Sequence, residues 1–228
     1  MSKEFTAYEE RYLALMDELE SGAGVRVLAE ERGPVVTAYG DAETVLAKIA
    51  RRFDLVLDPS SRSRVLRFRK LACQWEISGP GPTLAGEFGL KNLYTSITTG
   101  PLEIAQDFSS AADRRLAAEL RLLDDQPEGG AGSFTALRMQ PGVPLPEIWH
   151  FTVAHGFCRL DVGYAEYLDR LLVTKGTYGW QYLFADVSLR DPEFIHVRGR
   201  LSAMLSVFPK LFPEHDYSDL RARLEARA

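Results

Sequence analysis

The sequence predicts an α+β fold, a mainly antiparallel sheet flanked by helices. Helical patterns bracket a run of strand-like segments that is not spaced as alternating strand–helix units, so a parallel sheet is disfavoured. Within the stretch Pro146 to Val187, two short strands and a tight turn precede an amphipathic helix. On that helix Tyr164, Tyr167, Leu168, Leu171 and Leu172 fall at i, i+3, i+4, i+7 and i+8, one face that needs a sheet to pack on. Each such side chain contributes roughly 1.5–3 kcal/mol on burial, so the five together rival the net stability of a domain, about 5–15 kcal/mol.

Taken in order, Phe5, Tyr8, Tyr12, Leu15 and Leu19 predict an amphipathic first helix ended by Gly22 and Gly24. Packing on its own domain is favoured over a dimer seam, because coiled coils need three or more heptads. A second short helix is expected over Val25 to Arg32, closed by Gly33-Pro34, with Val35 to Tyr39 as an edge strand. Asp41 caps the next helix, whose buried face is Val45, Leu46, Ile49 and Phe53, and Asp58-Pro59 closes it. Between Ser60 and Ile77 the pattern reads as helix early and strand late. Strands follow over Thr83 to Leu90 and Leu93 to Thr99. Ser109 or Ser110 caps a helix through Leu123, and DDQPEGGAGS (Asp124 to Ser133) is the most loop-like segment. Phe134 to Met139 is a strand, and Pro141, Pro144 and Pro146 impose an extended link. In the organising stretch, Asp161 stands at an N-cap position and Gly176 after Lys175 is the stop. Helices over Gly199 to Phe208 and from about Ser218 complete the chain.

Composition narrows the function. Hydrophobic and charged fractions of 46% and 26% are ordinary globular values. A net charge of −5 argues against nucleic acid as a partner and suits a protein with a basic face. The two cysteines, Cys73 and Cys158, make neither a four-thiolate zinc site nor a secreted disulfide scaffold, so a cytoplasmic location is expected. The N-terminal stretch is charged and lacks the apolar core of a signal peptide, and no run is long enough for a membrane span, so no membrane partner is expected.

Chemical signals are weak. His150 and His155 can meet across a turn, yet no Cys, Asp or Glu beside them has ligand spacing; His196 and His215 are isolated. Glu76, Glu87 and Glu147 are candidates for a carboxylate pair of the kind found in many proteins of this size. No nucleophile elbow, P-loop or dinucleotide fingerprint is present. These readings assign no catalytic residue, metal or cofactor. Arg62, Arg64, Arg67, Arg69 and Lys70 form the basic cluster, read as a solvated flank rather than an anion site. Trp149, Tyr178 and Trp180 are the candidate pocket aromatics, with core filling the favoured alternative. Asp124, Asp125 and Glu128, expected in an exposed loop, are the candidate partner contacts.

Pro146-Glu147-Ile148-Trp149, Tyr164-x-x-Tyr167-Leu168, Gly176 and Trp180-Gln181-x-Leu183-Phe184, with Trp75 and Gly86-Glu87-Phe88-x-Leu90 upstream, resemble the SMI1/KNR4-like (SUKH) proteins over about residues 41–187. The family's Leu-Pro-x-x-Tyr helix and Asn-Gly turn are degenerate here, as Leu57-Asp58-Pro59 and Leu71-Ala72-Cys73. The resemblance implies an α+β core over 41–187; an N-terminal helical extension over 1–40 and a C-terminal one over 188–228 are additional to it, all expected in one structural domain. It further implies a non-enzymatic protein-binding module, many bacterial members being immunity proteins that neutralise toxins. An acidic chain meeting a basic toxin domain is electrostatically consistent with that. Two alternatives remain: a small-molecule-binding protein or enzyme with a pocket near Trp149 and Trp180, and an assembly subunit using its N-terminal helix.

Overall fold

The computed structural model describes residues 5–55, 57, 59–78, 83–102, 110–129, 132–140, 143 and 145–228. Its helices are α1 (Ala7–Ser21), α2 (Ala42–Phe53), α3 (Leu93–Thr98), α4 (Ala111–Glu119), α5 (Tyr164–Thr174), α6 (Ile195–Leu211) and α7 (Ser218–Arg227). Its strands are β1 (Val25–Arg32), β2 (Lys70–Ile77), β3 (Leu84–Lys91), β4 (Leu120–Asp125), β5 (Phe134–Arg138), β6 (Glu147–Thr152) and β7 (Gly156–Leu160). They form one seven-stranded antiparallel sheet in chain order, an α+β architecture as the sequence predicts. No helix among the described residues is long and apolar enough to cross a membrane. Asp58, Ser109, Gly130, Ala131, Pro141 and Pro144, on which expected turns, caps and links fell, lie outside the described residues.

Helices cover one face of the sheet. Thr6 and Glu9 close a capping box at the start of α1, and Tyr12, Leu15, Met16 and Leu19 turn into the domain's own core. The Tyr12 hydroxyl donates to the Leu168 carbonyl at 2.9 Å, and Tyr8 donates to Asp169 at 2.9 Å, which ties α1 to α5. All five apolar positions expected on α5 are buried. The sheet supplies Cys73, Trp75, Phe88, Ile148 and Leu160 to the same cluster, and Trp75 packs 5.8 Å from Phe208 of α6.

The exit from α5 crosses close to β3. Lys175 and Gly176 take left-handed conformations, and the Gly176 carbonyl accepts from the Glu87 amide at 2.9 Å. The Trp75 indole donates to the Lys175 carbonyl at 2.6 Å. A side chain at Gly176 would lie 2.7 Å from the Glu87 carbonyl oxygen, so this crossing requires glycine.

Several local expectations are corrected. Val25 to Arg32 is not a helix but strand β1, because its backbone pairs with β2 in a register from Val25↔Ile77 to Arg32↔Leu71. The first forty residues therefore contribute a strand to the sheet as well as a helix. Val35 makes only an isolated bridge to Phe68, and Thr37–Tyr39 is a 3-10 turn. Leu93 to Thr98 is helix α3, started by the Asn92 side chain accepting from the Tyr94 amide at 2.9 Å. The helix expected through Leu123 stops at Glu119, and Leu120 to Asp125 pairs with β5 instead. Gly163, not Asp161, holds the N-cap of α5; Asp161 pairs with Arg223 at 3.0 Å, linking the strand end to α7.

Candidate functional site

The ionisable groups in the interior are organised by burial. Asp124 is 2% exposed, on β4, so it is not the loop residue expected. Its carboxylate accepts from the Gly89 amide at 2.8 Å and the Tyr167 hydroxyl at 2.7 Å. Burial pushes its pKa up to about 7, even though those two hydrogen bonds pull it down. Thr135 lies beside Tyr167, and its hydroxyl stands 3.1 Å from Nδ1 of His150. Burial lowers the pKa of His150 to about 3, so the imidazole stays neutral. Asp124, Tyr167, Thr135 and His150 thus form a polar string sealed inside the core.

Asp125 also belongs to β4, half-buried, with Lys91 Nζ 3.4 Å from its carboxylate. Glu128 is the one of the three acidic candidates whose residue is exposed. Its amide donates to Glu87 at 2.6 Å, and the Gly129 amide and Tyr178 hydroxyl donate to the same carboxylate at 2.8 and 3.0 Å. Glu87 therefore clips the turn after β4 onto β3. Of the other glutamates, Glu76 pairs with Arg26, and Glu147 with Arg138 and Arg159. Glu87 and Glu147 stand on β3 and β6, with β4 and β5 between them, so the three carboxylates do not converge.

The candidate pocket aromatics Trp149, Tyr178 and Trp180 stand apart from one another. Trp180 is fully buried, 5.0 Å from the Tyr167 ring on the helical side of the sheet. Tyr178 is held at Glu87, and Trp149 stands on the opposite face, its indole donating to Glu147 at 2.9 Å. The basic cluster is likewise taken apart by ion pairs. Arg67 is bound to the buried Glu9 at 2.6 Å, Arg64 to Asp169 at 3.1 Å and Lys70 to Glu31 at 3.5 Å.

Among the described residues, one group has donors close enough for a metal: Glu18, Glu214 and His215, within 4.8 Å of one another. The ammonium of Lys175, a fully buried side chain, already pairs with Glu18 there and stands 3.3 Å from His215 Nε2. Burial tends to raise the Glu18 pKa, but bonds from His215 and Lys175 hold it down to about 2. This is an internal ion pair joining α1, the end of α5 and the linker before α7.

Two surface features remain. On the face away from the helices, cross-strand register aligns Phe134, Phe151 and Phe157, and beside them Ala136, Trp149 and Arg159. The Phe134 and Phe151 rings stack at 5.0 Å, Phe151 and Phe157 lie 4.7 Å apart, and all four large aromatics are half-buried. Arg138 lies over the Trp149 ring at 5.8 Å. Trp149 and Phe151 alternate on β6, a signal present in the sequence; Phe134 and Phe157 join them only through register.

Next to this face, a groove of about 450 Å³ runs along β7, lined by His155, Phe157, Cys158, Arg159 and Tyr182 and, opposite, by Asp186 to Ser188, Asp191, Glu193 and Phe194. His155 stacks on Phe194 at 4.4 Å, and its Nδ1 is 2.9 Å from the Tyr182 hydroxyl. Burial raises the Cys158 thiol and the Tyr182 phenol to about 12, so both stay protonated near neutral pH. Neither group therefore presents a thiolate or phenolate to the groove. Asp186, Asp191 and Glu193 gave no sequence signal beyond that of a polar loop.

Compared with protein-family models, curated proteins and solved structures, the chain gives no significant match in any of the three.

Proposed function

We propose that this chain is a non-enzymatic protein-binding module of the immunity type, which neutralises a partner by covering its working surface. The observation that carries the reading is the aromatic face of β5, β6 and β7, where Trp149, Phe134, Phe151 and Phe157 stand in register beside Arg138, Glu147 and Arg159. Large aromatics ringed by charged and hydrogen-bonding groups are the composition of an interface centre and rim. The sequence resemblance to SMI1/KNR4-like proteins and the net charge of −5 favour a basic toxin domain as the partner.

The test is co-expression with the product of the neighbouring gene. The wild-type chain restores growth and co-purifies with that product. A Trp149→Ala/Phe151→Ala double variant, folded by circular dichroism, loses both, since truncating a hot-spot aromatic at an interface centre costs about 2 kcal/mol or more. Failure of the wild type to rescue or co-purify, or full retention by the double variant, overturns the reading.

A further inference from the structure

Helix α5 begins without a cap of its own. Thr6, Asp41 and Ser110 cap α1, α2 and α4 through side-chain oxygens, whereas Gly163 holds the N-cap of α5 and has no side chain to offer. The Gly163 carbonyl accepts from the Tyr167 amide at 2.8 Å, so the helix is wound from its first turn. The amides of Tyr164, Ala165 and Glu166 have no acceptor among the described residues, and they stand at the positive end of the helix dipole.

Gly163 to Glu166 line a cavity of about 300 Å³ between the start of α5, the 3-10 turn Pro59–Arg64 and the link into β6. From the 3-10 turn, Ser61 lines the same cavity. That residue is 1% exposed, and its hydroxyl has no hydrogen-bond partner among the described residues. Buried hydroxyls are ordinarily paired, so one that lines a cavity unpaired is a donor held for what enters it. Leu57, Leu145 and Pro146 make the remaining wall apolar, and Leu145 is 56% exposed. Among the described residues no Lys or Arg lines the cavity, and the Glu166 carboxylate is held by Arg170 at 3.0 Å.

We propose that this cavity binds a carboxylate carried on a short apolar group, supplied by a free aliphatic acid or by the C-terminal residue of a polypeptide. The carboxylate oxygens accept from the amides at the start of α5 and from the Ser61 hydroxyl, and the apolar group packs on Leu57, Leu145 and Pro146. A single negative charge suits this donor set. A phosphate dianion calls for a cation, none lines the cavity, and the Glu166 carboxylate repels a second charge. Helix α5 covers the face of the sheet opposite Trp149, so the inference is independent of the protein-binding reading.

The isotope-labelled full chain is titrated with isocaproate, and separately with acetyl-Ala-Ala-Leu bearing a free C-terminus, and followed by amide chemical shifts. At least one of them moves the Tyr164, Ala165 and Glu166 amides saturably, and the tighter binder identifies the source of the carboxylate. Isocaproamide and the C-terminally amidated peptide leave those amides in place, and inorganic phosphate binds more weakly than the carboxylate by about tenfold or more. Gly163 has an extended backbone, φ −88° and ψ 176°, with open space where a Cβ would stand. Gly163→Asp therefore caps the helix with its own carboxylate, raising the melting temperature and abolishing binding, whereas Gly163→Ala adds no acceptor and retains binding. Ser61→Ala lowers the affinity about tenfold, the loss of one hydrogen bond to a charged group. The proposal is overturned by the absence of a saturable shift at the three amides, by equal binding of the uncharged amides, by phosphate binding as tightly, or by unchanged affinity in Gly163→Asp or Ser61→Ala.

Discussion

Replacing Asp124 with asparagine tests how the interior handles charge. The carboxyl is buried between Gly89, Tyr167 and the sheet, and its pKa rises from 3.8 to about 7. Between about pH 4 and 7 the native state keeps a proton that the unfolded chain has lost. Stability therefore falls as pH rises through that window. A shift of about three units corresponds to about 4 kcal/mol, fully felt above pH 7 and absent below pH 4. Asparagine preserves the geometry: its carbonyl accepts from Gly89, and its amide faces a Tyr167 hydroxyl that Thr135 and Gln181 also contact. Urea denaturation from pH 4.5 to 8.5, followed by fluorescence of the buried Trp75 and Trp180, gives the stability of both proteins. Subtracting one curve from the other cancels every other titration. The variant gains on the wild type as pH rises, by several kcal/mol across the range. Two parallel curves, differing by a constant within about 0.5 kcal/mol, would refute the argument that Asp124 is protonated in the fold at acidic pH.

Two further perturbations follow from the same geometry. His150, kept neutral with its pKa lowered to about 3, binds a proton in the unfolded chain first, so native stability drops as pH falls from 6.5 toward 3; in acid denaturation, His150→Gln flattens this limb by an amount on the order of 4 kcal/mol. Gly176→Ala places a methyl 2.7 Å from the Glu87 carbonyl oxygen at a φ of +70°, and its urea midpoint falls by the equivalent of about 2 kcal/mol or more.

Local pattern and long-range pairing divide what the sequence reveals. The α5 face, the Asp41 cap of α2 and the β6–β7 hairpin were legible because their signals lie within a few residues. VRVLAEER was not, since its helix formers are overruled by a strand 45 residues later, from Val25 to Lys70. The same override turns Leu120 to Asp125 from helix into strand and withdraws Asp124 from solvent, a placement fixed by Tyr167, 43 positions away. Half of the aromatic face was readable as the alternation of Trp149 and Phe151. The acidic wall of the groove was not, because nothing local distinguishes Asp186, Asp191 and Glu193 from any solvated turn.

The clasp among Glu18, Lys175 and His215 bears on how the molecule is made. Glu18 leaves the ribosome 157 positions before Lys175 and 197 before His215. Each strand of the meander finds its neighbour in the segment just synthesised, so the sheet can assemble progressively during translation. The first helix, however, carries a carboxylate whose cationic counterpart arrives only after the last strand. Final locking of the amino-terminal helix thereby waits until all seven strands have been made.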